Sequence, residues 1–205
     1  MKGGEEFKMS QNIEEKIAFG IEKLARANRA LIWEIAKQEN LSPIQIQFII
    51  FLKEHPKGFC TVNNLAKEFD LSKATVSDAI KSLKNKGFLV KKRKKDDGRV
   101  FILHLTEAGE KLENRVSIWS DILVEHIRQF TSDKKEKILI YIMELLKSLK
   151  KAGIISVAKM CFNCANFKGN AYPGSRKPHY CMLTNTPLAI SELTIDCMSQ
   201  HCEKL

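Results

Sequence analysis

A stretch that should form a helix, followed at once by one that should form a hairpin, limits the fold of this chain more than any other feature. In residues 70–106, DLSKATVSDAIKSLKNKGFLVKKRKKDDGRVFILHLT, Ser72 can cap a helix, Val76, Ile80 and Leu83 recur at helical spacing, and Gly87 supplies a left-handed stop. The spacing predicts a helix packed on one side only. Its other side carries Thr75, Ser77, Asp78, Lys81 and Ser82, with Ser72 and Lys73 at the leading end. These small polar and cationic groups suit a DNA major groove. Two strand-like runs follow, Phe88 to Lys95 and Arg99 to Leu105, joined by the turn tripeptide Asp96-Asp97-Gly98. Helix then hairpin is the plan of a winged helix.

The first strand of this wing ends in five consecutive cations, Lys91, Lys92, Arg93, Lys94 and Lys95. On a strand they project to both faces, and no single apolar core could accept them. Lysines can serve only to protect a sheet edge. Here they stand beside a candidate recognition helix and concentrate positive potential where phosphates would lie. The formal charge of +10 on 205 residues also favours a polyanionic partner.

The remaining elements are helical. Asn12 and Glu15 have capping-box spacing, and Ile13, Ile17, Ile21, Leu24, Leu31 and Ile35 mark an apolar stripe on a helix reaching about Gln38. Such a helix either lies over its own domain or meets a partner helix in a dimer. Ser42-Pro43 starts a mostly buried helix that ends at Pro56-Lys57-Gly58. Thr61 starts a short one with Val62, Leu65, Ala66 and Phe69 on one face, and Asp70-Leu71 turns into the candidate recognition helix. After the wing, Thr106 caps a helix running to about Phe130, with Leu112, Val116, Trp119, Leu123, His126, Ile127 and Phe130 on its stripe. Ser132 opens a last long helix that is apolar on more than one face, which implies burial against more than one neighbour.

The expected fold is therefore mainly α with a small β-hairpin (α+β): a winged helix-turn-helix with long dimerisation helices and a small cysteine-rich C-terminal module. The expected divisions are 1–40 for the first dimerisation helix, 41–106 for the winged helix-turn-helix, 107–153 for the later dimerisation helices and 154–205 for the cysteine-rich tail. No run approaches the apolar length needed to span a bilayer, and the N-terminal residues lack the apolar core of a signal peptide, so no membrane partner and a cytoplasmic location are expected.

Residues from about Asn12 to Lys150 resemble the MarR family of regulators (multiple antibiotic resistance regulators). The likeness rests on the order of elements, on LSKATVSDAIKSLKNKGFLVKK, on Asp97-Gly98-Arg99 at the wing tip and on HLTEAGEKL after it. It implies a two-fold homodimer built from helices at both chain ends. It also implies a recognition helix in the major groove of a pseudo-palindromic double-stranded DNA operator, and Arg99 in the minor groove with Asp97 orienting it. A small aromatic or phenolic effector often binds in such proteins between the dimer and DNA lobes. Some relatives use a reactive cysteine, for which Cys60 is the one candidate within the domain, though an inert buried residue is the expected reading.

Five of the six cysteines fall between Cys161 and Cys202, outside that resemblance. In a reducing compartment they are not expected to be structural disulfides. Cys161-x2-Cys164 is a knuckle spacing that lets two thiolates approach one ion, and Cys181 and Cys197 can complete a tetrahedral site. Apolar residues are sparse between Asn163 and Tyr180, so a metal staple fits this tail better than a packed core. Zinc is the expected cofactor. An iron–sulfur cluster has the same appetite for thiolates, and Cys202, His179 and His201 remain as substitutes.

The function expected from these features is a dimeric DNA-binding transcriptional regulator, with DNA contacts from Ser72, Lys73, Thr75, Ser77, Asp78 and Lys81 on the helix and from Lys92, Arg93, Lys94, Lys95, Asp97 and Arg99 on the wing. A repressor is the expected mode, with Cys161, Cys164, Cys181 and Cys197 holding a structural or sensory metal. The alternative is an iron–sulfur or thiol redox protein whose winged helix binds another protein. No phosphate loop, His-Glu-x-x-His motif or nucleophile–base pair supports catalysis, so no enzyme is expected.

Overall fold

The computed structural model describes residues 12–94 and 99–197, with only the backbone described at 118–120. The chain begins with α1 (Ile13–Gln38), whose N-terminus is closed by the Asn12 carboxamide accepting from the Glu15 N–H at 2.8 Å. Only Ile32 and Ala36 of α1 are buried. Ile13, Ile17, Ile21 and Leu24 lie exposed on the single chain.

The buried centre is α2 (Pro43–Glu54), with Ile46, Phe48 and Ile49 wholly inaccessible. Its start is fixed by Gln45, whose side chain accepts from the Ser42 N–H at 3.0 Å. Then α3 (Val62–Glu68) begins at Thr61, whose hydroxyl accepts from the Asn64 N–H at 3.2 Å. Asp70, in the left-handed region at φ 53°, reverses the chain into α4 (Lys73–Asn85). Val76, Ile80 and Leu83 of α4 are fully buried against this core, and truncating one such leucine typically costs about 2–5 kcal/mol. Gly87, at φ 80°, ends the α4 region as its position suggested.

Strands β1 (Leu89–Arg93) and β2 (Phe101–Leu105) pair antiparallel, Leu89 opposite Leu105 and Arg93 opposite Phe101. A further bond from the Lys94 N–H to the Val100 carbonyl extends the ladder. The wing is held at its base by the next helix. Thr106 donates its hydroxyl to the Gly87 carbonyl at 2.6 Å and accepts from the Gly109 N–H, which fixes the start of α5 (Glu107–Val116). Gly109 approaches so closely that a Cβ there would lie 2.1 Å from the Phe88 carbonyl oxygen.

The single helix expected from Thr106 to Phe130 is two helices, α5 and α6 (Ile118–Arg128), broken at Ser117. The Ser117 hydroxyl donates to the Asn114 carbonyl at 3.2 Å, a local back-bond of the kind that bends helices. The apolar rhythm runs through the break and so does not reveal it. Leu112 and Val116 are buried, whereas Ile122, Leu123, Val124 and Ile127 are exposed.

After α7 (Ser132–Lys151), the tail forms a three-stranded antiparallel sheet of β3 (Phe167–Lys168), β4 (His179–Cys181) and β5 (Thr186–Leu188). Sparse apolar residues did not suggest a packed core here, but there is a small one. Met143 of α7 is buried with Ala158, Met160 and Leu193, and Phe162, Phe167, Leu188 and Ile190 pack around them. The sequence count missed it because every one of these residues except Phe167 is supplied by α7 or by the tail outside 163–180.

Candidate functional site

Two groups of residues could carry function. The first is the outer face of α4 with the wing. Ser72, Lys73, Thr75, Asp78 and Lys81 are exposed and Ser77 is half-buried, while the opposite stripe is sealed in the core. Ser72 also caps the helix, accepting from the Thr75 N–H at 3.1 Å, and its hydroxyl meets the Thr75 hydroxyl at 2.9 Å. On β1, Lys92, Arg93 and Lys94 are exposed and Lys91 is half-buried. The Arg93 guanidinium lies 5.8 Å from the Phe101 ring centroid, a cross-strand cation–π contact. The cationic field is felt inside the wing. Burial holds the His104 imidazole below its usual range, and Lys92 and Lys57 lower it further. Arg99 is exposed where the chain returns from the wing tip. Lys95 and Asp97 lie outside the described residues, and with them the expected pairing of Asp97 with Arg99.

The second group is the thiols of the tail. Cys161, Cys164, Cys181 and Cys197 are all partly buried. Burial raises the Cys161 thiol, a hydrogen bond from the Thr194 N–H opposes the rise, and the neighbouring Cys197, Cys181 and Cys164 add to it. The fold thus brings Cys164, Cys181 and Cys197 within electrostatic reach of Cys161. Cys161 and Cys164 bracket a single 3-10 turn, with the Cys164 N–H donating to the Cys161 carbonyl at 3.0 Å. Burial alone would raise the Cys181 thiol, but hydrogen bonds from the Thr184 side chain and from the Thr184 and Leu183 backbone outweigh it and hold it below its usual range. Backbone N–H groups aimed at sulfur suit a thiolate. Among the described residues, no three His, Cys, Asp or Glu side chains are gathered into a metal-ligating set. Thiol donors suit a soft ion by their chemistry, but their arrangement does not gather them into a ligand set.

The substitutes fare differently. The His179 Nδ1 accepts from the Asn170 N–H at 3.2 Å, and burial lowers the ring's basicity. His201 and Cys202 lie outside the described residues. Cys60 is buried, its thiol pushed up by burial and directed at the Leu52, His55 and Pro56 carbonyls. Its place before α3 does not make it a reactive thiolate, since burial overrides the helix terminus.

Sequence reasoning missed His55 and Asp196. The His55 Nε2 meets the Asp196 carboxylate at 2.9 Å, and its Nδ1 meets the Phe51 carbonyl at 2.9 Å. The partners are far apart in the chain, and no local pattern marks either. Beside this pair lies a cleft of about 430 Å3 where Ile32, Ile50, Phe51, Phe69 and Leu123 meet Glu54, Glu68 and Asp196. Burial raises the Glu68 carboxyl, and the Asp196 charge raises it further.

Comparison with known proteins bears on the first group. Residues 39–100 match the model of the MarR family. The HTH-type transcriptional regulator BilQ of Clostridioides difficile (strain CD3) is 28% identical over 109 residues, which cover 51% of this chain and 70% of BilQ. Among solved structures, the S. aureus MepR–DNA complex aligns with a TM-score of 0.53 at 20% identity, covering 64% of this chain and 97% of that one. A MepR mutant from a multidrug-resistant S. aureus clinical isolate gives 0.54 at 20% identity, covering 65% and 96%. At such identity the structural likeness shows the fold alone. Among the described residues no helix is long and apolar enough to cross a membrane.

Proposed function

We propose, for a chain whose residues 39–100 carry the MarR-family pattern, that it is a homodimeric, cytoplasmic repressor that grips a pseudo-palindromic duplex operator. The observation that carries this reading is the one-sided α4 beside a cationic strand: an exposed Ser72, Lys73, Thr75, Asp78 and Lys81 next to Lys92, Arg93 and Lys94. In this arrangement α4 enters the major groove and the wing lies along the backbone, with Ser77, Lys95, Asp97 and Arg99 completing the surface. The exposed apolar faces of α1 and α6 supply the dimer contacts, because Ile13, Ile17, Leu24, Trp33, Leu123 and Ile127 would be costly to leave in water. The carboxylates of the cleft beside His55 favour a cationic effector there. Affinity for promoter DNA measured against salt tests the central reading. A steep fall with rising salt is expected, and weak, salt-insensitive binding would refute it.

The same reading gives the tail a structural zinc ion held by Cys161, Cys164, Cys181 and Cys197. Support comes from the electrostatic reach of Cys161 to Cys164, Cys181 and Cys197, with N–H donors aimed at Cys161 and Cys181. A bound ion would hold the sulfurs as thiolates and tie together loops that the small core leaves loosely joined. Metal analysis with an absorption spectrum decides the matter. A colourless protein with about one zinc per chain is expected for a closed four-thiolate site, whereas visible absorption with iron and sulfide would replace zinc by a cluster.

A further inference from the structure

We infer that the cysteine-rich tail is a brace between α7 and the DNA-binding lobe of the same chain, latched by Asp196 and His55, and that the thiol centre controls this latch. The second half of the inference rests on the zinc reading above; the first half does not.

The brace has two ends. One is apolar: Met160 and Leu193 of the tail are buried against Met143 of α7. The other is polar and falls on the winged helix. The Ser156 hydroxyl donates to the Lys67 carbonyl at 3.2 Å, the Lys159 ammonium lies 4.0 Å from the Phe59 ring centroid, and Asp196 meets His55 at 2.9 Å. The last contact dominates because of where its partners sit. The His55 side chain is only 6% exposed, against 42% for Asp196. Both its ring nitrogens face oxygen atoms, Nε2 the Asp196 carboxylate and Nδ1 the Phe51 carbonyl, and the ring is stacked at 3.8 Å on Phe51 with Phe59 at 5.5 Å. Without Asp196, a buried N–H would have no acceptor on that side, which is costly in a way that an exposed ion pair is not.

The latch and the thiols share one short segment. Asp196 precedes Cys197, whose N–H donates to the carbonyl of Lys159, the residue over Phe59. Two residues earlier, Thr194 donates to the Cys161 sulfur and accepts from the Cys161 N–H. Residues 194–197 therefore cannot move relative to the thiols without moving the Asp196 carboxylate. From His55 the contacts continue through Phe51 to Phe69, at 6.0 Å, beside the turn that leads into α4. Drawing the thiols onto an ion thus sets the hold on the recognition helix by direct packing.

Hydrogen exchange of residues 55–69 in the full-length protein tests this, comparing wild type with Asp196→Asn and His55→Gln, each zinc-loaded and chelator-stripped, with zinc per chain measured in every sample. The expected result is that Asp196→Asn keeps its zinc yet exchanges about tenfold to a hundredfold faster in this segment, loaded or stripped. Wild type should be protected when loaded and should lose protection on stripping. Equal exchange in zinc-loaded Asp196→Asn and zinc-loaded wild type would overturn the brace, and so would a His55→Gln variant that fails to match Asp196→Asn. Zinc-dependent protection that survives in Asp196→Asn would overturn the link from thiols to latch. A wild-type protein that binds no zinc would instead sink the zinc reading and the control by the thiols, while the metal-free comparison of the two proteins would still decide the brace.

Discussion

Single atoms decide two features of this molecule. At Gly109 the hydrogen that stands in place of a side chain lets α5 press against the Phe88 carbonyl, and a methyl group would meet that backbone oxygen at 2.1 Å. Backbone cannot move aside as a flexible side chain can, so Gly109→Ala should destabilise the fold by about 1–3 kcal/mol or more, read as a lower urea midpoint; an unchanged midpoint would contradict the packing described. Glu68 shows the opposite sign of effect. Burial and then the Asp196 charge raise its carboxyl, so the folded state disfavours the charged form. That cost is present above the raised folded value and fades as pH falls and the folded protein takes up the proton more readily. Glu68→Gln should accordingly stabilise the protein at neutral pH and give no gain in acid below the usual carboxylate range. A loss of stability at neutral pH would show that the carboxylate is paired rather than penalised.

At the scale of elements, the caps, the one-sided α4 and the order of helix and hairpin could be read directly, because each follows from neighbours in the chain. Ser72, Thr61 and Thr106 all accept the bond expected of a cap. What could not be read depends on partners distant in sequence or on a single hydroxyl. The break at Ser117 leaves the hydrophobic rhythm intact, the tail's core borrows Met143 from another helix, and His55 finds Asp196 only through the fold. The cysteine spacing could be read from the sequence, but the N–H donors from Thr194, Leu183 and Thr184 to Cys161 and Cys181 could not. The wing carries its own prediction. If its cations lie along phosphates, Lys92→Ala should weaken binding to all sequences alike and reduce the salt slope by about 1. Arg99→Ala should instead lower affinity most for the operator while leaving the dimer folded, since an arginine in a narrow groove reads shape. Identical loss on operator and random DNA would remove Arg99 from recognition.

Taken whole, the chain is a winged helix that carries apolar helices and a cysteine-rich tail packed on α7. The faces of α1 and α6 left bare on one chain and the cationic face around α4 are complementary demands: the first asks for a second copy, the second for a polyanion. Two recognition helices related by a two-fold axis must meet DNA with the same symmetry. Footprinting on the DNA flanking the protein's own gene measures that relation directly. The account predicts two protected segments of inverted sequence whose centres lie about one helical turn, roughly 10 base pairs, apart. Protection of one unrepeated segment, or none in dilute buffer, would contradict it.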